Sequence, residues 1–324
     1  MVRLLLSLLA VAGLLSACGG SDGGGAAPAP PEPTAAASAD FPPAKGKTMH
    51  ELVDGLPKGA ILNVSSYSGQ RVGRNRLGFV IVDRANKQID VSEVAVYTAK
   101  THGSDLRGPF EARKESLEVA TEYRSRQTAS DLASGDTFYV AEAVYGSSGP
   151  HMALGLVRLD GRLVVADSMG PLRVAQPGGP PDVGERAIKV HTKTAADVGG
   201  NLTRLSTRIP PPREMLKTDF ADVLGRKPVV LLFATPALCK SRTCGPVVDI
   251  AEQVRAENGK GVAFIHQEIY QDNDPGKPLR SQVARWRLTT EPWAFVIDRQ
   301  GRIAARFEGV FSVGELARAV ERVK

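Results

Sequence analysis

Residues 228–246 read Pro228-Val-Val-Leu-Leu-Phe233-Ala-Thr-Pro-Ala-Leu-Cys239-Lys-Ser-Arg-Thr-Cys244-Gly-Pro246. The uninterrupted apolar run 228–233 marks a strand covered on both faces, because a strand with one wet face would alternate. Beyond the cysteines, Val247, Ile250, Ala251 and Val254 recur at i, i+3, i+4 and i+7. That spacing gives a helix one buried stripe, and Gly259 closes it. Pro246 belongs in the first helical turn, since in a helix interior it would cost about 3 kcal/mol. The helix therefore starts near Gly245, and 239–244 form the loop leading in. Helical geometry agrees: two positions five apart are turned by roughly 140°, with Cα atoms about 8–9 Å apart, beyond the ~7 Å limit for a disulfide. Cysteines joined across this interval cannot both lie in unbroken helix.

Toward the C-terminus, residues 261–265 form a second apolar strand. A polar loop through Asp272 and Pro278 leads to a short helix over 279–286, and Glu291-Pro292 precedes a third strand over 293–297. The turn Asp298-Arg-Gln-Gly301 enters a strand over 302–307, and Ser312 is a good N-cap for a last helix ending near 323. Asp272-Asn-Asp274-Pro-Gly276 has a calcium-loop flavour but lacks the later bidentate acid, and reads as an ordinary turn.

Strand, cysteine loop, helix, strand, helix, X-Pro, hairpin and helix, in this order, resemble the thioredoxin-like superfamily over residues 215–324. The residues that carry the resemblance are 229–233, Cys244-Gly-Pro246, Pro292 ahead of a strand, and Phe295-Val-Ile-Asp298 with Gly301-Arg302. The resemblance implies an α/β fold in which Pro292 is cis and sits against a reactive pair, Cys239 and Cys244. It implies substrate binding at Glu291, Pro292 and Trp293. Glu291 reads either as a proton relay to a leaving thiol or as a surface residue, and Trp293 either as an apolar wall over the cysteines or as core. Thioredoxins carry Trp-Cys-Gly-Pro-Cys; here four residues separate the cysteines instead of two. By order Cys239 is the nucleophile and Cys244 its resolving partner. Cys244 has the better helix-end position, where unpaired amides, the helix dipole, Lys240 and Arg242 favour a thiolate.

The implied activity is thiol–disulfide exchange without cofactor or metal. The alternatives are a noncatalytic binding module stapled by a structural disulfide, peroxide reduction, and copper delivery. A peroxiredoxin reading draws on Thr235-Pro236, but the threonine lies one position out of register. Copper would use Cys239, Cys244 and His266, with the histidine in an unexpected place.

Residues 48–175 read as an all-β sandwich. Strands are expected over 77–82, 91–98, 138–145, 152–159 and 163–166, and Asp160-Gly161 is a hairpin turn. An immunoglobulin-like topology is one arrangement, although the cysteine-tryptophan-cysteine signature is absent. His102 and His151 stand apart from any ligand partner, and Phe79, Tyr97, Phe110, Phe138 and Tyr139 read as core. Residues 176–214, punctuated by proline and glycine, are the linker to the 215–324 domain.

The chain opens with Arg3 and an apolar run over 4–15, too short to span a bilayer. It ends Leu15-Ser16-Ala17-Cys18, which resembles the bacterial lipobox. By that resemblance 1–17 is a signal peptide, Cys18 carries the lipid anchor, and the protein sits outside the cytoplasm on the cell membrane. Residues 18–47 hold few large apolar side chains and read as a disordered tether. Of three cysteines the anchor takes one, leaving Cys239 and Cys244 to each other in an oxidising compartment. The formal charge of +6 over 324 residues is spread along the chain, which argues against nucleic acid as a partner. The expected partners are exported thiol- or disulfide-bearing clients or a membrane reductant.

Overall fold

The computed structural model describes residues 41–130, 136–168, 170–175, 177–239 and 244–324. The signal peptide, Cys18, most of the tether, Lys240 and Arg242 lie outside the described residues. No helix among the described residues is long and apolar enough to cross a membrane.

The N-terminal part is a barrel. After a short helix α1 (Met49–Val53) come β1 (Lys58–Val64), β2 (Gly73–Val82), β3 (Val94–Lys100) and β4 (Arg107–Ser116). A short helix α2 (Arg126–Ser130) leads to β5 (Thr137–Tyr145), β6 (Gly149–Leu159), β7 (Arg162–Ser168) and β8 (Leu172–Val174). The strand order is β3-β4-β5-β2-β1-β7-β6-β8, and β3 also pairs with β6. This second pairing runs in unbroken register from Val94↔Val157 to Lys100↔His151. Both edges of β3 are therefore hydrogen-bonded, and seven strands close on themselves. The two-sheet sandwich expected from the sequence is replaced by this barrel, and closure removes the open edges that a sandwich would leave. β1 and β7 run parallel, whereas the other barrel pairs are antiparallel. The expected Asp160-Gly161 hairpin is present: both residues have positive φ, 48° and 75°, which matches the twist of a two-residue turn between β6 and β7.

Period-two alternation explains how β5 serves two cores. Tyr139, Ala141, Ala143 and Tyr145 join Leu62, Leu77 and Phe79 in the barrel filling. Phe138 and Val140 point the other way, into the cluster that holds the C-terminal helices. Helix α1 and Phe41 cover part of the barrel's outer face, against Ala95, Tyr97 and Leu156.

The C-terminal part is a four-stranded sheet in the order β10-β9-β11-β12. Helix α3 (Phe220–Val223) precedes β9 (Val229–Phe233), α4 (Cys244–Asn258) and β10 (Ala263–Gln267). Helix α5 (Ser281–Arg285), β11 (Trp293–Ile297), β12 (Ile303–Glu308) and α6 (Val313–Glu321) follow. β9 and β10 are parallel, and β11 is antiparallel to both β9 and β12. This is the element order on which the resemblance to thioredoxin-like domains rests, and the Glu291–Pro292 peptide is cis. The sheet separates two cores. Val230, Leu232, Ala294 and Val296 face α4 and α6. Val229, Leu231, Phe233, Trp293, Phe295 and Ile297 face Phe220 and Trp286.

Candidate functional site around the cysteine pair

Cys239 ends a tight turn. β9 finishes at Phe233, and the amides of Leu238 and Cys239 donate to the Thr235 carbonyl at 3.2 and 3.1 Å. Cys244 is the first residue of α4, so only one of the pair is helical, as the spacing requires. No disulfide joins the two in this structure. Their Sγ atoms and a carboxylate oxygen of Glu291 all lie within 4.8 Å of one another.

The two sulfurs differ in access. Cys239 is half-buried, while Cys244 is fully buried in the core cluster with Val247, Val248 and Leu316. The expectation of a thiolate favoured at the helix end is therefore corrected for Cys244. The segment between β4 and β5 packs at this end of α4, and Leu117 and Val119 share the cluster that holds Cys244. Helix α2 lies against the start of α4 so closely that a Cβ on Gly245 would meet Thr128 Oγ1 at 3.3 Å. The same segment is tied down by Asp249, whose Oδ2 accepts from Ser125 N at 2.8 Å. Asp249 Oδ1 accepts from Arg208 Nε at 2.7 Å. Burial is the main force that pushes the Cys244 thiol up; the neighbouring Cys239 and Glu291 add to it, against a backbone hydrogen bond from Thr235.

Glu291 is the titratable carboxyl gathered with the two sulfurs. Burial raises its carboxyl to about 7, with further contributions from Cys239 and the buried Glu268. Its Oε2 is buried and has no hydrogen-bond partner among the described residues. A carboxyl that titrates near neutrality can both give and take a proton there. His266 lies under the loop but is not gathered with the pair. It is wholly buried, its Nε2 is 3.0 Å from the Ala234 carbonyl, and burial lowers its pKa, so it stays neutral.

Cys239 and Glu291 open into a cleft of about 500 Å³ between the barrel and the α/β sheet. Val64, Tyr67 and Val80 of the barrel form one wall, and Tyr270, Leu279 and Leu288 contribute to the other. Tyr67 and Leu279, which line it, stay 47% and 40% exposed. Tyr270 is close enough for Glu291 and both cysteines to help raise its phenol, after the larger effect of burial.

No family model and no curated protein matches the chain. Among solved structures it is similar to a thiol:disulfide interchange protein of the thioredoxin family from Chlorobium tepidum TLS. The identity is 15% and the TM-score 0.32, over 44% of this chain and 98% of that one. It is also similar to a protein described as thiol:disulfide interchange protein DsbE from Chlorobium tepidum, at 14% identity and TM-score 0.31, over 44% and 97% of the two chains. The filamin domain of Lin-41 matches at 12% identity and TM-score 0.17, over 34% and 90%. At such identities and scores, the reading of the site rests on its own geometry.

Trp293 does not wall the cysteines. It is buried on the opposite face of β11, stacked on Phe295 at 5.5 Å, and its Nε1 donates to Thr290 Oγ1 at 2.9 Å. Gly69 of the barrel sits against it so tightly that a Cβ there would lie 2.4 Å from the indole. Strand alternation carried this signal: Trp293 shares a face with Phe295 and Ile297, away from Ala294, Val296 and α4. Pro292 is buried beside the site, and its carbonyl accepts from Gly309 N at 2.9 Å. The barrel wall and Tyr270 were not singled out from sequence, because nothing local in 63–80 marks a residue that lines a site formed some 160 positions later.

Proposed function

We propose that the chain is a thiol–disulfide exchange protein in which Cys239 attacks and Cys244 resolves. One observation carries the reading: of two sulfurs within reach of each other, only Cys239 faces the cleft, and a carboxyl titrating near 7 stands beside them. In the reducing direction the Cys239 thiolate attacks one sulfur of a client disulfide, forming a mixed disulfide and expelling a client thiolate. Protonated Glu291 supplies the proton that this thiolate takes up. The Cys244 thiol then passes its proton to the Glu291 carboxylate and attacks the Cys239 sulfur. The 239–244 disulfide closes and the second client sulfur leaves as a thiolate that takes the proton back from Glu291, so two electrons and two protons have passed to the client. An external dithiol reductant restores the pair, and the same steps run backwards oxidise a client dithiol.

Burial of Cys244 suits the resolving role. A thiol pushed up by its surroundings stays protonated until the mixed disulfide forms, and is shielded from solution oxidants. Exported clients with an apolar segment next to their cysteine would suit the cleft, and a lipid on Cys18 would hold the chain where such clients are found.

The test is trapping. Full-length Cys244→Ala, reduced and mixed with a disulfide-bonded peptide bearing apolar flanks, should accumulate a mixed disulfide on Cys239, seen as an added peptide mass. Cys239→Ser should trap nothing. Failure of both variants to react, together with a 239–244 bond that resists mild reductant in the parent, would leave a noncatalytic module with a structural bridge.

A further inference from the structure

We propose that the reduced site binds a thiophilic divalent cation such as Zn²⁺, held by Cys239 Sγ, Cys244 Sγ and a Glu291 carboxylate oxygen. The three ligand atoms already lie within 4.8 Å of one another. In a tetrahedral zinc site, with Zn–S near 2.3 Å and Zn–O near 2.0 Å, ligand atoms stand roughly 3.5–3.8 Å apart. Closing the triangle therefore takes side-chain movements on the order of 1 Å. A second observation points the same way: Glu291 Oε2 is buried and lacks a partner among the described residues, while it stands beside the sulfurs. Three acidic ligands suit a dication, and two sulfurs select against Mg²⁺ and Ca²⁺, which prefer oxygen alone.

The site has an entry path and an open position. Cys239 and Glu291 line the cleft, so a hydrated ion can reach them, and a water can complete the tetrahedron from the cleft side. Three protein ligands with one open position describe an exchangeable site rather than a closed structural one. His266 is not the fourth ligand, because neither of its ring nitrogens is among the ligand atoms gathered within 4.8 Å of one another at the pair. On binding, both thiols lose their protons to solvent. When the pair is oxidised, two electrons pass to a client disulfide, the two sulfurs join to each other, and the ion is released. Metal and client thus compete for the same reduced sulfurs, and the ion protects the pair from oxidation.

Cobalt titration of the reduced full-length chain tests this. The expected result is one Co²⁺ per chain, with thiolate-to-cobalt absorption in the near ultraviolet, tetrahedral visible bands, and displacement by Zn²⁺. The oxidised chain should show none of these. Glu291→Gln should keep the thiolate absorption but weaken Zn²⁺ binding by at least the order of 10–100-fold that loss of even an outer-shell partner brings. Circular dichroism checks that the variant folds. Absence of the absorption in the reduced parent, or a folded Glu291→Gln that holds Zn²⁺ as tightly as the parent, overturns the site. Peptide trapping reads exchange separately. A chain that traps the peptide but ignores cobalt refutes the metal site alone, and one that binds cobalt but traps nothing refutes exchange alone.

Discussion

Glu291 illustrates how a single position acquires a role from its surroundings. The resemblance marks Glu291 but leaves it either a proton relay or a surface residue, and only the fold shows it within reach of two sulfurs and near buried Glu268. Its carboxyl is raised from an ordinary 4.5 to about 7, first by burial. A raised carboxyl binds its proton more tightly in the folded chain than in the unfolded one. Its stabilising contribution is therefore fully present below about pH 4.5 and is lost as the pH climbs through 7. Glu291→Gln removes that dependence. At pH 5 the variant and parent should unfold at closely similar urea concentrations. At pH 8 the variant should be the more stable, by on the order of 1–2 kcal/mol, since the group is partly open to solvent and screened. Parallel stability curves across that range would show that Glu291 ionises freely in the folded protein. Cys244 carries the complementary lesson: its place at the start of a helix was legible, but its burial was not, because the cluster that holds it includes barrel-side residues such as Leu117 and Phe138, more than a hundred positions earlier.

Among the elements, α6 shows which features a local reading reaches. Ser312 was readable as its N-cap, and the structure completes a capping box in which Ser312 Oγ accepts from Glu315 N at 3.1 Å and Glu315 accepts from Ser312 N at 3.3 Å. The second use of Glu315 was hidden. It also accepts from Arg76 Nε at 2.8 Å and from Arg113 Nη2 at 2.8 Å, residues of β2 and β4. Burial alone would raise this carboxyl, and the two arginines, Arg76 foremost, more than reverse it. Its contribution is therefore present above the ordinary carboxylate range and is lost as the pH falls through its lowered value. Glu315→Gln leaves two guanidinium groups facing a neutral amide and should destabilise the chain by about 3 kcal/mol at pH 7, read as a shift of the urea midpoint. A loss under 1 kcal/mol would mean that the arginines find water instead. The same contrast runs through the strands. β9 and β11 were legible because a run buried on both faces is apolar throughout, whereas β4 escaped notice because Pro109 and its charged residues break the pattern. Barrel closure was illegible because pairing β3 with β6, or β1 with β7, is chosen between distant segments that each read alike in either arrangement.

At the scale of the whole molecule, the two parts of the fold stand or fall together. One core cluster runs from Leu117, Val119, Phe138 and Val140 of the barrel side through Val230, Val296 and Cys244 to Leu316 and Val320. Polar clasps reinforce it. Glu308, buried on β12, accepts from Ser68 Oγ at 2.6 Å and Gly69 N at 2.7 Å on the barrel, and from Thr290 Oγ1 at 2.8 Å next to Glu291. Arg306 donates to the Gly69 carbonyl across the same seam. Residues 215–324 on their own would expose the face that Phe138 and Val140 cover, and would leave Glu315 and Asp249 without the partners that justify their burial. Cooperative unfolding of the two parts follows. In urea, tryptophan fluorescence, which reports Trp286 and Trp293 of the α/β part, should follow the same transition as the far-ultraviolet dichroism dominated by the barrel. The 215–324 fragment should bind a hydrophobic dye and show no cooperative melt. A fragment that melts cooperatively within a few degrees of the intact chain would mean that the shared cluster is only contact between independent folds, and the cleft wall formed by Tyr67 and Val80 would then be free to move away from Cys239.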